Sequence, residues 1–348
     1  MSENEFLRNT WYMAGWASEL DGGAFIARRM LDTPVIVFRD SHGAPQALIN
    51  RCPHRFAPLS RGKVIGDFIQ CGYHGLGFDG TGACVKNPYQ TIERRDISVR
   101  SFPVVERDRI IWVWFGERHK SDPALVPDFS THVDPKFRFV HGHSEIAANY
   151  ELVADNLLDL SHVTFIHPSF GGVFWVPEFE MEQQGNRVIA KYRVLNQPAS
   201  EFSEGFFHAH GQNINEYDQM TWHAPACMRL DIGFALSEAP DDIKALQPSS
   251  HILTPASKDK TWYFWASAGE QAAPITDEAH REALIQAFER EDAPMLQACE
   301  ASMEGKEFWS MRPAILPYDG AAVRARHILR RLIRDEHQAP VEKASASN

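Results

Sequence analysis

The N-terminal third of the chain has the pattern of short β-strands joined by turns. Thr33–Arg39 is a β-branched apolar run, and Gln46–Asn50 follows it as the returning strand. Lys63–Gln70 has the pattern of a hairpin with a Gly-Asp turn, and Arg109–Phe115 is a further apolar run. These segments predict a small all-β domain.

The rest of the chain combines two helical patterns with a strand-rich region. Apolar spacing predicts one helix over 150–165 and another over 277–303, with Thr276 as the N-cap of the second. A last helix is predicted near 319–336. The strands predicted between the first two helices include Arg187–Val194, Met228–Phe234 and Thr261–Ala266. Because no helical segments separate these strands, they predict an antiparallel sheet and an α+β fold.

Prolines mark the predicted domain boundary. Pro123, Pro127 and Pro135 lie between the two patterns and indicate a linker. We therefore predict one domain over 1–125 and a second over 126–337. The polar, small-residue segment 338–348 predicts a disordered tail.

Charge and composition restrict the class of function. The 348 residues carry a formal net charge of −11, which argues against a nucleic-acid-binding protein. No apolar run approaches the roughly 20 residues that a membrane-spanning helix needs. The N-terminus lacks the basic-then-apolar order of a signal peptide. The five cysteines are an odd number in a long chain, so we expect reduced thiols and a cytoplasmic protein.

Two short loops offer a cysteine and a histidine each. They are Cys52-Pro53-His54 and Cys71-Gly72-Tyr73-His74. This mixed spacing is typical of a [2Fe–2S] cluster in which two cysteines hold one iron and two histidines hold the other. A structural zinc site could use the same four atoms, but zinc spacings usually pair Cys with Cys and His with His. Four unliganded core residues are the third interpretation.

A second metal site is indicated further along the chain. Asp155, Asp159 and His162 share one face of the predicted helix, and His167 follows five residues after His162. Two histidines and one carboxylate form the facial triad of non-haem Fe(II) oxygenases. The carboxylate could be Asp155, Asp159 or the distant Asp292, and periodicity does not decide between them. Alternatively, His162 is a core histidine and His167 a helix C-terminal residue.

These motifs together resemble the Rieske non-haem iron oxygenases, in particular the branch of vanillate O-demethylase-type oxygenase components. Residues 155–162, followed by His167, resemble that family's N-x2-D-x2-H-x4-H motif. The supporting stretches are 8–12, 52–60, 102–107, 251–255 and 291–292. The resemblance implies an N-terminal all-β Rieske domain and a C-terminal catalytic domain of helix-grip (START-like) type, in which an antiparallel sheet is flanked by helices.

The resemblance also implies roles for individual residues in binding the metals. Cys52 and Cys71 would bind one cluster iron, and His54 and His74 the other. The catalytic Fe(II) would be bound by three further residues, His162, His167 and Asp292.

Two polar residues near the catalytic iron receive other roles from the resemblance. Asp159 would accept hydrogen bonds from His162 and from His74 of a neighbouring subunit, and would carry electrons between the metals in a homotrimer. Asn156 would lie near the iron.

The implied reaction is an O2-dependent monooxygenation, by O-demethylation or hydroxylation, of a substituted aromatic acid or similar compound. Electrons would come from NADH through a reductase, with or without a ferredoxin. His251 and Asp231 are the candidate substrate contacts. The alternatives are a ring-dihydroxylating dioxygenase and a non-catalytic Rieske or zinc metalloprotein.

Overall fold

A computed structural model describes residues 6–89, 97–167 and 177–338. Two predicted features lie outside these ranges. One is Pro168, which directly follows His167 and, as a proline, is predicted to end any helix there. The other is the disordered tail, of which only Gln338 is described, as the last residue of a helix.

Small antiparallel sheets make up the N-terminal region. The strands are β1 (Thr10–Trp16), β2 (Phe25–Met30), β3 (Thr33–Arg39), β4 (Pro45–Ile49), β5 (Lys63–Ile65), β6 (Phe68–Gln70), β7 (Gly77–Asp79), β8 (Cys84–Lys86), β9 (Ser101–Phe102), β10 (Val104–Arg107) and β11 (Ile110–Phe115). They form sheets of order β1-β11-β10, β2-β3-β4-β9 and β5-β6-β7-β8. The predicted hairpin over 63–70 is confirmed.

A seven-stranded antiparallel sheet dominates the C-terminal region. Its strands are β12 (Phe137–Ile146), β13 (Glu178–Gln184), β14 (Arg187–Pro198), β15 (Asn213–His223), β16 (Cys227–Leu236), β17 (Ile243–Ser257) and β18 (Lys260–Glu270). Their order is β12-β18-β17-β16-β15-β14-β13. The predicted boundary at 125–126 falls between this sheet and the N-terminal ones.

Helices flank the large sheet, which confirms the α+β class. They are α1 (Tyr150–Leu158), α2 (Val163–Ile166), α3 (Glu201–Phe206), α4 (Asp277–Ile285), a π-helical segment (Gln286–Asp292), α5 (Ala293–Ser302) and α6 (Gly320–Gln338). Short 3-10 turns occupy Ala17–Gly23, Leu59–Arg61, Arg118–Lys120, Pro123–Leu125, Ser130–His132, Leu160–His162, Phe308–Met311 and Pro317–Asp319.

The first predicted helix, 150–165, is wrong as a continuous element. Helix α1 ends at Leu158, because Asp159 takes an extended conformation with φ −120° and ψ 95°. The side chain of Asp159 then accepts a hydrogen bond from the Ser161 N–H and begins a 3-10 turn. Because His162 and His167 are five residues apart, both could face one metal only with a break or widened turn between them. The break lies before His162 instead.

The predicted helix over 277–303 is likewise interrupted. Thr276 caps α4 as expected, since its side chain accepts from the Ala279 N–H. The chain then widens into the π-helical segment, which ends at Asp292, and Pro294 lies in the first turn of α5. Widened turns of this kind occur often at functional sites.

The two faces of the large sheet have different partners. Ile252 and Phe264 lie on the face that packs against tryptophans of the N-terminal sheets, among them Trp112 and Trp114. His251 lies on the opposite face, with the ring of Phe288 against it at 5.4 Å. One face therefore joins the two regions, and the other is available for a site under the helices.

The described residues include no helix that is long and apolar enough to cross a membrane. The five cysteines all lie in the described ranges, and none of them forms a disulfide.

Candidate metal centres and substrate cavity

The two Cys/His loops have the same backbone shape. We call residues 52–57 and 71–76 the cluster loops. In the first, the Cys52 N–H donates to Ala57 O, and the Phe56 N–H donates to Cys52 O. In the second, the Cys71 N–H donates to Leu76 O, and the Gly75 N–H donates to Cys71 O. Phe56, with φ +60°, therefore matches Gly75, with φ +75°.

The cluster loops bring like ligands together. Cys52 and Cys71 are both buried, with 2 % of their surfaces exposed. Burial raises the pKa of the Cys52 thiol, which lies beside the Cys71 thiol. The imidazole rings of His54 and His74 are 4.5 Å apart and lie nearer the surface. A thiol pair and an imidazole pair, one for each iron, are the donor set of a Rieske cluster.

Three other side chains converge below the helices. The Nε2 atom of His162 lies 3.6 Å from Asp292 Oδ1, and the Nε2 atom of His167 lies 3.3 Å from Asp292 Oδ2. Three ligand atoms, one from each residue, lie within 4.8 Å of one another. These separations fit three neighbouring ligands of one ion whose metal–ligand bonds are about 2 Å. Two imidazoles and one carboxylate are the donor set of non-haem Fe(II).

The helix interruptions position these three ligands. His162 ends the 3-10 turn that follows the break at Asp159, and His167 directly follows α2. Asp292 is the last residue of the π-helical segment. A continuous helix would have turned His162 and His167 in different directions, since an offset of five residues does not share a face.

Both histidines are oriented through Nδ1. His162 Nδ1 lies 2.6 Å from the main-chain oxygen of Asp159, and His167 Nδ1 lies 2.7 Å from Glu291 Oε2. An acceptor at Nδ1 fixes the tautomer that presents a free Nε2 lone pair to a metal. Burial also lowers the pKa of His162, which favours the neutral form that binds metals.

These contacts correct one expectation about Asp159. The expected hydrogen bond from His162 goes to the main-chain carbonyl of Asp159 and not to its carboxylate. The carboxylate caps the next turn instead, because the backbone is extended at this residue.

Asn156 and Asp155, both on α1, have separate partners. Asn156 Nδ2 donates to Asp292 Oδ1 at 3.1 Å, so Asn156 orients a candidate ligand. Asp155 accepts three hydrogen bonds, of 2.7 to 2.9 Å, from the guanidinium of Arg326 on α6. Asp155 therefore joins two helices, and Asp292 is the carboxylate that meets the histidines.

A cavity of about 280 Å³ opens beside the three ligands. His162, His167 and Asp292 line it, and so does the candidate substrate contact His251. His251 is buried; its Nδ1 lies 2.7 Å from the Tyr263 hydroxyl, and its Nε2 has no partner in the described part of the chain. Burial lowers the pKa of His251 to about 4.

The expectation that Asp231 contacts the substrate is corrected. Leu230 and Ile232 line the cavity, and Asp231 lies between them on β16. Successive residues of a strand face opposite sides of a sheet, so Asp231 points away. Its carboxylate accepts hydrogen bonds from Arg229 on that outer face.

Sequence reasoning missed the acidic wall of the cavity. Ile214, Glu216, Asp218 and Met220 alternate along β15, and all four line the cavity. The sequence signal was available, because two acids occupy inward positions of a period-two pattern whose other members are apolar.

Comparisons with known proteins show the family to which the chain belongs. The family profile described as "Rieske [2Fe-2S] domain" matches residues 10–103, and the profile described as "Vanillate O-demethylase oxygenase C-terminal domain" matches residues 146–335. The chain belongs to the Rieske non-haem iron oxygenases. The family resemblance predicted from the Cys/His loops and the residues around His162 is therefore confirmed.

Two curated Rieske oxygenase components illustrate the relationship. The dicamba O-demethylase oxygenase component of Stenotrophomonas maltophilia is 35% identical over 94% of this chain and 98% of its own. The chloroacetanilide N-alkylformylase oxygenase component of Rhizorhabdus wittichii (strain DC-6 / KACC 16600) is 35% identical over 98% and 99%. The crystal structure of dicamba monooxygenase bound to 3,6-dichlorosalicylic acid matches with a TM-score of 0.88 and 34% identity, over 96% of this chain and 99% of that chain.

The protein is therefore the oxygenase component of a Rieske monooxygenase system, with a [2Fe–2S] cluster and a mononuclear non-haem iron as its cofactors. The zinc-protein and non-catalytic alternatives do not hold. The donor sets at the cluster loops and at His162, His167 and Asp292 fit these two groups. The residues expected to bind each metal stay predictions, now supported by the distances above.

Proposed function

We propose that this oxygenase component inserts one oxygen atom into a C–H bond of a small substituted aromatic compound. In a methoxy substrate, the product is a hemiacetal that releases formaldehyde and leaves a phenol. The second atom of O2 leaves as water, formed with two electrons and two protons. The observation that carries this proposal is the placement of His162, His167 and Asp292 at the wall of a largely apolar cavity.

The chain's own residues supply position and shelter. His162, His167 and Asp292 would hold the iron, which would supply the activation of O2. Asn156 and Glu291 fix the orientation of Asp292 and His167. Leu157, Leu284 and Phe288 line the cavity and limit water near the reacting carbon.

The compounds named for two relatives differ in charge. One solved relative is described as bound to an acid, and one curated relative is named for an anilide. Both names contain a substituted aromatic ring, which is the substrate class proposed here.

The proposed electron route passes between subunits of a homotrimer. A reductase, with or without a ferredoxin, would deliver electrons from NADH to the cluster. His74 of one subunit would contact Asp159 of the next, which is joined to His162. Apolar side chains around the cluster loops support a protein contact there, since Phe56 and Tyr73 are 72% and 66% exposed. The cytoplasmic location expected from the odd number of cysteines is part of this proposal.

A turnover screen tests the proposal. Holoenzyme, a Rieske reductase, NADH and O2 are incubated with methoxylated and methylated aromatic compounds, and formaldehyde and hydroxylated products are measured. We expect at least one compound to give product in proportion to NADH. Metal-loaded enzyme that reduces its cluster but oxidises none of the panel would contradict the proposal.

A single substitution tests the proposed electron route. Asp159→Asn should retain the cluster and the mononuclear iron yet reduce turnover to a few per cent. Glu204→Gln, at a half-buried carboxylate that pairs with His208 away from both metal sites, is a matched control. Substantial activity in Asp159→Asn would contradict the route through this residue without affecting the substrate proposal.

A further inference from the structure

The sheet forms one wall of the cavity, and the polarity of this wall changes along the strands. Strands β15, β16 and β17 lie side by side, and their inward residues form rows across the sheet. The successive rows are Trp222–Met228–His251, Met220–Leu230–Ser249 and Asp218–Ile232–Gln247. The first row lies on the side of Asp292, whose charge acts on His251. The third row lies four residues away along β17, which is about 13 Å at roughly 3.3 Å per residue.

The remote row carries acids. Asp218 is buried, with 4% of its surface exposed, and Glu216 follows at the next inward position of β15. Burial raises the pKa of Glu216 to about 7. Burial and the charge of Glu216 raise the pKa of Asp218 well above its ordinary value. A ligand that donates hydrogen bonds or carries positive charge would lower the pKa values of both acids, because it stabilises the ionised carboxylates.

Two hydrogen-bond acceptors in the same row have no partner. Asp218 Oδ1 and Gln247 Oε1 are both buried and unpartnered within the described part of the chain. The amide group of Gln247 is oriented by its Nε2, which donates to the hydroxyl of Ser267 at 2.7 Å. Buried polar atoms are rarely left without a partner, so an oriented acceptor at a cavity wall indicates a missing donor.

The cavity offers little to an anion at this end. Its described lining residues include no arginine or lysine. His251 lies in the row beside Asp292, and its low pKa leaves it neutral. A carboxylate placed near Glu216 and Asp218 would be desolvated beside two acids without a cation to balance it.

We propose that Glu216, Asp218 and Gln247 select aromatic substrates that carry an amide N–H or an amine at the end of the cavity remote from Asp292, in preference to substrates with a carboxylate there. This inference rests on the proposed function, since it assigns the substrate class of the same cavity. It replaces the aromatic acid expected from the sequence with a neutral or basic aromatic compound. The apolar middle row, with Met220 and Leu230, would contact the ring.

Binding to the holoenzyme tests the proposal without turnover. Three probes share one scaffold and differ only at the para group: 4-methoxybenzamide, 4-methoxybenzylamine and 4-methoxybenzoate. Each is titrated calorimetrically into metal-loaded enzyme under anaerobic conditions and without reductase. We expect the amide and the amine to bind at least tenfold more tightly than the benzoate.

A double variant assigns the preference to the acids. Glu216→Gln combined with Asp218→Asn keeps the side-chain shapes and hydrogen-bond acceptors but removes the acidity. We expect the amine to lose at least tenfold in affinity, the amide less than threefold, and the benzoate nothing. Asp231→Asn, on the outer face of β16, is the matched control and should keep the wild-type order.

Each outcome bears on the proposal. Benzoate binding as tightly as the amide and the amine, or no binding of any probe, would overturn it, and so would an equal loss for all three probes in the double variant. The wild-type order decides even where the double variant does not fold. Tight benzoate binding with formaldehyde release would leave the proposed function standing and remove this inference. Preferred binding of the amide and the amine without oxidation of any compound would support the binding preference inferred here and contradict the proposed function.

Discussion

The cluster loops and the mononuclear site build a metal centre in opposite ways. Each cluster loop places a cysteine and a histidine within one tight turn, and a short hairpin links the two loops. The mononuclear site instead takes His162 and His167 from one interrupted helix and Asp292 from another, far along the chain. Local backbone shape determines the first site, whereas tertiary packing determines the second. Changes at one site should therefore leave the other site intact.

Of the substitutions considered, His162→Ala is expected to affect the two metal sites most differently. The variant removes one of three ligands and leaves Asp292 facing His167 alone, so mononuclear iron and turnover should both fall below detection. The Rieske EPR and visible spectra should be unchanged, because the cluster loops make no use of this residue. Iron per subunit should drop by the mononuclear equivalent.

The control for this variant is His208→Ala, which removes an exposed histidine that pairs with Glu204. It should keep both metals and full turnover. If His162→Ala retained mononuclear iron at wild-type stoichiometry, the assignment of this ligand would be wrong.

Gly62→Ala is expected to have the opposite effect, with loss of the cluster and retention of the mononuclear iron. A Cβ atom at Gly62 would overlap the main-chain oxygen of Gln70, which directly precedes Cys71. The second cluster loop would have to shift, and we expect most of the cluster to be lost while mononuclear iron remains. Visible absorbance and iron and sulfide analysis measure both quantities.

Gly66→Ala is the matched control in the same hairpin. A Cβ atom there meets nothing within 4 Å, although φ is +56°. The cost should be about 1 kcal/mol of stability without cluster loss. Equal cluster content in the two variants would show that the close approach at Gly62 is not needed.

The same comparison explains what the sequence could predict. The cluster loops are a local motif, so their four residues and the hairpin between them could be identified from spacing. Three strands of the large sheet, β14, β16 and β18, were predicted because apolar residues recur along them between turn residues. Fold class and family followed from these features and from the motif around His162.

Features that depend on packing could not be predicted from spacing. The break at Asp159 depends on how α1 meets the sheet, where the Tyr192 hydroxyl contacts the Leu158 oxygen at 2.6 Å. The choice of Asp292 over Asp155 depends on Arg326, which comes from α6 and pairs with Asp155. The position of Asp231, by contrast, could have been predicted, because Leu230 and Ile232 alternate with Arg229 and Asp231 along β16.

The smallest effect in this comparison is expected for Glu291→Gln. Glu291 holds His167 through Nδ1 and is itself held by the Gln286 side chain, which donates to Oε1 at 2.9 Å. The substitution keeps the shape but removes the charge that strengthens the hydrogen bond to His167. Replacing such outer partners typically lowers metal affinity by about 10- to 100-fold, so Fe(II) titration of apo-enzyme with an intact cluster should show a shift of that size. Glu282→Gln on α4, where the carboxylate pairs with Arg290 at the surface, should leave the Fe(II) affinity unchanged. A loss as complete as that of His162→Ala would make Glu291 a metal ligand, and wild-type affinity would show that packing alone orients His167.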